Sequence, residues 1–231
     1  MWFFCHEHLY SPMTPLRPHR AATLALPALL LFASLALAVQ TKTAAAIDLA
    51  ISHWMEHHGQ PWLTRLLFWV TDAHQPIGIL LLGAVLLAWL WRRGERRWCA
   101  LVIAAVPGGM LLNVLLKWTF QRARPEFGEP LVHLLTYSFP SGHTLGATVF
   151  YGVLAVYLRQ HARNPTARAA LAVAALGMVL LVALSRLYLG AHYPTDVLAG
   201  MAEGCAWLTI CMTVISNWRS PRPAGAPSKS S

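Results

Sequence analysis

Six stretches of this 231-residue chain, 21–39, 76–91, 98–116, 144–158, 169–184 and 197–215, carry no Lys, Arg or Asp, and Glu203 is the one formal charge among them. A helix needs about 20 predominantly apolar residues to cross the hydrocarbon core of a bilayer. Charged residues make up only 12% of the chain, whereas a soluble globular domain carries about 25%, and that deficit lies in these stretches. The expected fold is therefore all-α: a polytopic membrane protein, a six-transmembrane-helix bundle with amphipathic interface helices. Residues 1–20 are expected to be a cytoplasmic N-terminal segment, 21–216 one six-span domain, and 217–231 a disordered cytoplasmic tail. The tail, rich in Pro, Gly, Ser and Ala, cannot bury enough apolar surface to fold.

The first stretch follows Arg17 and Arg20 and ends near an Ala-Leu-Ala, features shared with cleaved leaders. Its apolar length exceeds the 7 to 15 residues of a signal core, so it is read as a retained helix.

Net charge is +9, but its distribution argues against nucleic acid binding. Twelve of the eighteen Lys and Arg fall on one side of the expected spans: Arg17, Arg20, Arg92, Arg93, Arg96, Arg97, Arg159, Arg163, Arg168, Arg219, Arg222 and Lys229. Lys42, Arg65, Lys117, Arg122, Arg124 and Arg186 fall on the other. Basic loops stay in the cytoplasm, which predicts both termini inside, with the excess serving topology and anionic-lipid contact. Asp48, Glu56, Asp72, Glu126, Glu129 and Asp196 lie on the outer side, with seven of the eleven histidines (53, 57, 58, 74, 133, 143 and 192). Titratable chemistry is thus expected outside. Cys5 and Cys99 are placed inside, and Cys205 and Cys211 within the last span, so no disulfide is expected.

Two amphipathic stretches lie between the first and second spans. IDLAISHWMEHH places Ile47, Ile51, Trp54 and Met55 on one stripe, and PWLTRLLFWV is rich in aromatics. Both suit helices lying at the outer interface, as anchors or as aids to lipid entry.

Three outer-facing stretches hold polar residues at the ends of spans: KWTFQRARP from Lys117, PSGH from Pro140, and SRLYLGAHYPTD from Ser185. Lys117 and Arg124, seven apart, share a face if the helix continues, and alone would read as snorkelling cations. Ser141 alone would be an N-cap, and His143 an interface histidine. Asp196 follows His192 by four, near Pro194 at a helix start. A carboxylate there can hold one imidazole nitrogen and leave the other as base or nucleophile. Together, Lys117, Arg124 and Arg186 supply three positive charges, while Ser141 and Gly142 offer a hydroxyl and N–H groups at a helix mouth suited to phosphate oxygens. Two histidines in unlike settings can divide acid and base work. Phosphoryl transfer needs little beyond charge clamping and in-line geometry.

These stretches resemble the signature of the type 2 phosphatidic acid phosphatase superfamily, which also includes vanadium haloperoxidases and bacterial acid phosphatases. Lys117–x6–Arg124–Pro125, Pro140–Ser141–Gly142–His143 and Ser185–Arg186–x5–His192–x3–Asp196 match at every position and in order. The resemblance implies that His192 attacks phosphorus, that Asp196 orients it, and that His143 protonates the leaving oxygen and then activates water. It implies phosphate binding by Lys117, Arg124, Ser141, Gly142 and Arg186, with no metal and no cofactor. The implied partners are the bilayer and a lipid phosphate or diphosphate. The implied location is a bacterial inner membrane, with the site facing the periplasm. Undecaprenyl diphosphate stands first among substrates, because its recycling occurs on that face, ahead of phosphatidylglycerophosphate and phosphatidate. The signature leaves oligomeric state open.

Glu203 lies seven positions beyond Asp196, about 10 Å further along a helix, and an ionisable group at that depth is either functional or a bonded acid within the bundle. It stands outside the signature. Two rival readings remain at this level. A metal hydrolase would use His143, His192 and Asp196 with His133 or His57, against the repulsion of three nearby cations. A non-catalytic transporter or scaffold would keep the fold without the reaction.

Overall fold

The computed structural model describes Met13 and residues 18–125 and 136–217. Glu126, Glu129 and His133, Cys5 and nearly all of the two expected terminal segments lie outside the described residues. Among the described residues eight helices follow in order: α1 (Pro18–Ala38), α2 (Lys42–His57), α3 (Pro61–Ala73), α4 (Pro76–Arg92), α5 (Arg96–Phe120), α6 (Gly142–His161), α7 (Pro165–Tyr188) and α8 (Pro194–Ser216). No strand occurs among the described residues.

Proline opens α3, α4, α7 and α8, where its missing N–H costs no helical bond. Thr41 caps α2 by accepting from the Ala44 N–H at 3.3 Å, and Asn164 caps α7 by accepting from the Ala167 N–H at 2.7 Å. Helices cover the six expected apolar stretches except for Val39, and α5 and α7 run one turn past them at the ends that carry Lys117 and Arg186. Hydropathy marks where a helix is dry; backbone hydrogen bonding continues through Lys117 and Arg186.

Among the described residues four helices are long and apolar enough to cross a membrane: α1 over Ala21–Ala38, α5, α7 and α8. The α3–α4 pair, bent by 55° at a short break, makes a possible fifth. The helix at the remaining expected position, α6, is the innermost. Its residues from His143 to Phe150 are all buried, and it packs against α4, α5, α7 and α8. The structure thus supports four spans, or five with the bent pair, where six were expected.

The distribution of side chains is inverted relative to a soluble protein. Leu24, Leu30 and Leu37 on α1, Leu81 and Val85 on α4, and Val173 and Leu176 on α7 are exposed. Asn113, Lys117, His143, Arg186 and Glu203 are buried. Such an arrangement suits lipid outside and a polar chamber within. The amphipathic α2 follows the same rule: Ile47, Ile51 and Trp54 face out, while Asp48 and Ser52 face in.

Candidate active site

Four helix ends meet at one end of the bundle. The last turns of α5 and α7 present Lys117 and Arg186, and the first turns of α6 and α8 present Gly142, His143 and Asp196. The cations sit at the negative ends of their helix dipoles, and the N-termini of α6 and α8 bring positive ends to the same place.

Lys117, Arg124, Gly142, His143, Arg186 and His192 line one cavity of about 490 Å³. Its polar wall continues through Asn113, Thr71, Asp72, Gln75 and Thr136, and Phe68, Pro76, Met110 and Val114 supply an apolar side. Two of the expected site residues, Ser141 and Asp196, stand behind this wall rather than on it. Ser141 is fully buried, with its Oγ 3.0 Å from Thr144 Oγ1, and its backbone N–H donates to the Asp196 carbonyl at 3.0 Å.

Arg124 reaches the cavity by a route different from the one its spacing suggests. Instead of continuing, α5 stops at Phe120, where Gln121 takes a left-handed φ of 47° and returns its N–H to Lys117 O. The chain then runs irregularly and carries Arg124 back over the chamber. Its Nη1 donates to the Ala191 carbonyl at 2.6 Å and to His192 Nε2 at 3.2 Å. Nε and Nη2 donate to the Thr136 carbonyl and hydroxyl at 2.7 and 3.0 Å. Lys117 Nζ donates to the Tyr137 and Ser138 carbonyls at 2.6 and 3.3 Å.

A guanidinium has only donors. Nε2 of His192 must therefore accept, which turns its lone pair to Arg124 on the cavity wall and puts the ring proton on Nδ1. Behind Nδ1 stand Ser138 Oγ at 3.4 Å and Asp196 Oδ2 at 3.5 Å. Asp196 Oδ2 accepts from the Ser138 hydroxyl and from the Tyr193 N–H at 2.9 Å; Oδ1 accepts from Arg122 Nη1 at 2.6 Å. Burial, and then the charges of Lys117, Arg124 and Arg186, hold the His192 imidazole well below its usual range. Burial brings Arg124 down to about 10, still a cation at neutral pH.

Arg186 is 1% exposed and donates from Nη1 to the Thr71 hydroxyl. Its Nε and Nη2 have no hydrogen-bond partner among the described residues. Buried guanidinium donors of this kind call for an anion. Gly142 is required by space, since a Cβ there would lie 2.9 Å from Asn113 Oδ1.

Several site residues escaped the sequence reading. Arg122 lies inside KWTFQRARP but off the signature, and Ser138 lies two residues before PSGH. Thr71, Asn113 and Asp48 come from helices whose local sequence reads as anchor or span. The available signal was a lone Asp or Asn in an apolar helix. His57, one of the rival metal ligands, is exposed, and its Nδ1 lies 2.7 Å from the His53 carbonyl. Glu203 lies below the chamber, its Oε2 accepting from Asn113 Nδ2 at 2.9 Å.

Comparison with known proteins bears on this geometry. The sequence profile of the PAP2 superfamily matches residues 96–220. The chain belongs to the PAP2 superfamily. Its enzyme class is accordingly that of a phosphoric ester hydrolase. Phosphatidylglycerophosphatase B of Bacillus subtilis (strain 168) is 35% identical over 76% of this chain and 86% of that protein. Undecaprenyl-diphosphatase BcrC of the same strain is 29% identical over 64% of this chain and 72% of its own length. Among solved structures, the transmembrane PAP2 type phosphatidylglycerolphosphate phosphatase from Bacillus subtilis superposes with a TM-score of 0.73 at 31% identity. That match covers 81% of this chain and 94% of the other.

Proposed function

We propose that this PAP2 enzyme removes phosphate from a membrane lipid through a phosphohistidine on His192, with phosphatidylglycerophosphate as the first substrate to consider. The family resemblance had put undecaprenyl diphosphate first. Greater identity to phosphatidylglycerophosphatase B, over more of both chains, supports reversing that order.

In this reading the phosphate sits among Lys117, Arg124, Arg186 and the free N–H groups at the mouth of α6, beginning at Gly142. Ser141 acts from behind, by shaping that mouth. Nε2 of His192 attacks phosphorus, the bond to the lipid oxygen breaks, and His143 gives that oxygen a proton. Asp196 and Ser138 hold the Nδ1 proton and offset the charge on the phosphorylated ring. His143 then takes a proton from water, which attacks phosphorus and frees His192. The cations do the work a metal does elsewhere. The apolar side at Phe68, Met110 and Val114 suits a lipid tail.

One observation carries this reading: a histidine whose accepting Nε2 meets Arg124 on the wall of a chamber in which Arg186 holds two unpartnered donors. The test is phosphate release by the detergent-solubilised protein with EDTA present, across phosphatidylglycerophosphate, phosphatidate, undecaprenyl diphosphate and a sugar phosphate. Release from lipids that vanishes in His192→Ala supports it; release that survives the mutation refutes it.

The proposed setting is a bacterial inner membrane crossed six times, by α1, α4, α5, α6, α7 and α8, with both termini cytoplasmic and the site outside. The opposite end of the bundle carries Arg92, Arg93, Arg96, Arg97, Arg159, Arg163 and Arg168. A membrane-impermeant maleimide should label Gly59→Cys in intact cells and spare Arg163→Cys; the reverse pattern would invert the topology.

A further inference from the structure

Asp48 is a carboxylate without exposure on a helix whose other face is apolar and outward. Its Oδ2 lies 2.7 Å from Arg122 Nη2, and its Oδ1 accepts from the Thr195 N–H at 3.1 Å. Arg122 Nη1 donates to Asp196 Oδ1 at 2.6 Å and to Thr195 Oγ1 at 2.7 Å. The guanidinium carbon lies 4.3 Å from the centre of the Tyr193 ring, so that ring pins the fork from one face. The Arg122 carbonyl accepts from the Ser138 N–H at 2.8 Å, and Ser138 in turn donates its hydroxyl to Asp196 Oδ2. Arg122 thus reaches both oxygens of Asp196, one directly and one through Ser138.

Charge alternates along this chain: Asp48 negative, Arg122 positive, Asp196 negative, then the His192 ring. Arg122 alone would neutralise much of the field that Asp196 exerts on His192. Asp48 shares that guanidinium and returns the field to the ring. Only a planar fork can hold two carboxylates in this way.

We propose that Asp48 and Arg122 form a positioning relay that aligns Asp196 behind His192 and keeps its negative charge available to the phosphorylated imidazole. The proposal rests on His192 as the nucleophile. It gives the interfacial helix α2 a part in catalysis through one side chain, where its apolar stripe alone would make it an anchor. A plain staple between α2 and α8 would use the same bonds but leave turnover of the folded enzyme unchanged.

The experiment uses the full-length protein in detergent, as wild type, Asp48→Asn, Arg122→Gln, the double variant and Asp48→Glu. Turnover of a short-chain phosphatidylglycerophosphate gives kcat and KM, and protection against heat gives the Kd of orthovanadate, which needs an aligned His192. Asp48→Asn is expected to lower kcat about tenfold, the scale at which groups behind a reacting residue act, with KM held. Asp48→Glu should recover most of that loss. The double variant should be no worse than Arg122→Gln, because the two act as one unit. Vanadate affinity should fall in parallel with kcat.

A folded Asp48→Asn with unchanged kcat overturns the relay, as do losses that multiply in the double variant. Wild type that turns over no lipid yet binds vanadate, with affinity lost in Asp48→Asn and His192→Ala, would leave the relay standing and sink the substrate reading alone. Wild type that fails to bind vanadate would overturn both. If Asp48→Asn does not fold, Thr195→Val decides. It removes a hydroxyl shared by Arg122 and Asp48, and kcat reduced at constant KM supports the relay, while unchanged kcat overturns it.

Discussion

At His192 the proposed chemistry turns on which ring nitrogen carries the proton, and Arg124 decides that by having nothing but donors. Burial and three neighbouring cations keep the ring neutral well below the 6.5 of a free imidazole. The nucleophile should therefore remain competent in mild acid. Rapid-quench measurement of phosphoenzyme formation should find no half-loss at a pH of about 6.5; a half-loss there would mean that the ring titrates as if free. Stability has a definite sign as well. The folded chain resists protonating this ring and the unfolded chain does not, so its contribution is present above about pH 6.5 and is lost as pH falls below that. Thermal midpoints should thus drop more on acidification in wild type than in His192→Gln. Ser138 is the second residue at this scale. Ser138→Ala removes a donor to Asp196 that no water can replace in so buried a place, and about tenfold of kcat should go with it while KM holds.

Helices act here through their ends and their smallest residues. On α8, Gly200 and Gly204 lie one turn apart and face α6, where a Cβ at Gly200 would come 2.5 Å from the Ser141 carbonyl and one at Gly204 2.8 Å from Thr148 Cβ. Backbones can approach this closely only without side chains between them. The contact also seats Ser141 and the mouth of α6 against Asp196, whose carbonyl accepts from the Ser141 N–H. Gly200→Ala should cost about 1–3 kcal/mol by overpacking. It should also lower phosphate release in the protein that remains folded, since the helix mouth must shift. Denaturation in detergent followed by assay of the folded fraction would separate the two effects. Trp207 uses the same device on α5, resting over Gly108 and Gly109 with its indole N–H donated to the Ala104 carbonyl at 3.1 Å.

For the molecule as a whole, the inverted surface and the concentration of cations at one end have a consequence for cofactors. Lys117, Arg124 and Arg186 around one chamber repel a divalent ion and already supply the charge that such an ion would bring. Phosphate release should be unaffected by EDTA and inhibited by orthovanadate. Loss of activity on chelation, restored by a divalent metal, would contradict the cation-clamp mechanism.

Residue order was enough to read a helical membrane protein, because runs without charge have no other stable home. It also marked Lys117, Arg124, Gly142, His143, Arg186 and His192, which the fold brings to one chamber, since order and spacing within a signature survive without coordinates. Tertiary structure alone decided the rest. Hydropathy marked a helix at 144–158 but could not show that α4, α5, α7 and α8 enclose it. Periodicity could not foresee that α5 stops at Gln121, since that depends on the return path of Arg124 to Ala191 and His192. Nor could local sequence tie Asp48 to Asp196. The two are joined only where α2 folds over the start of α8, and a pairing across so many residues leaves no periodic trace.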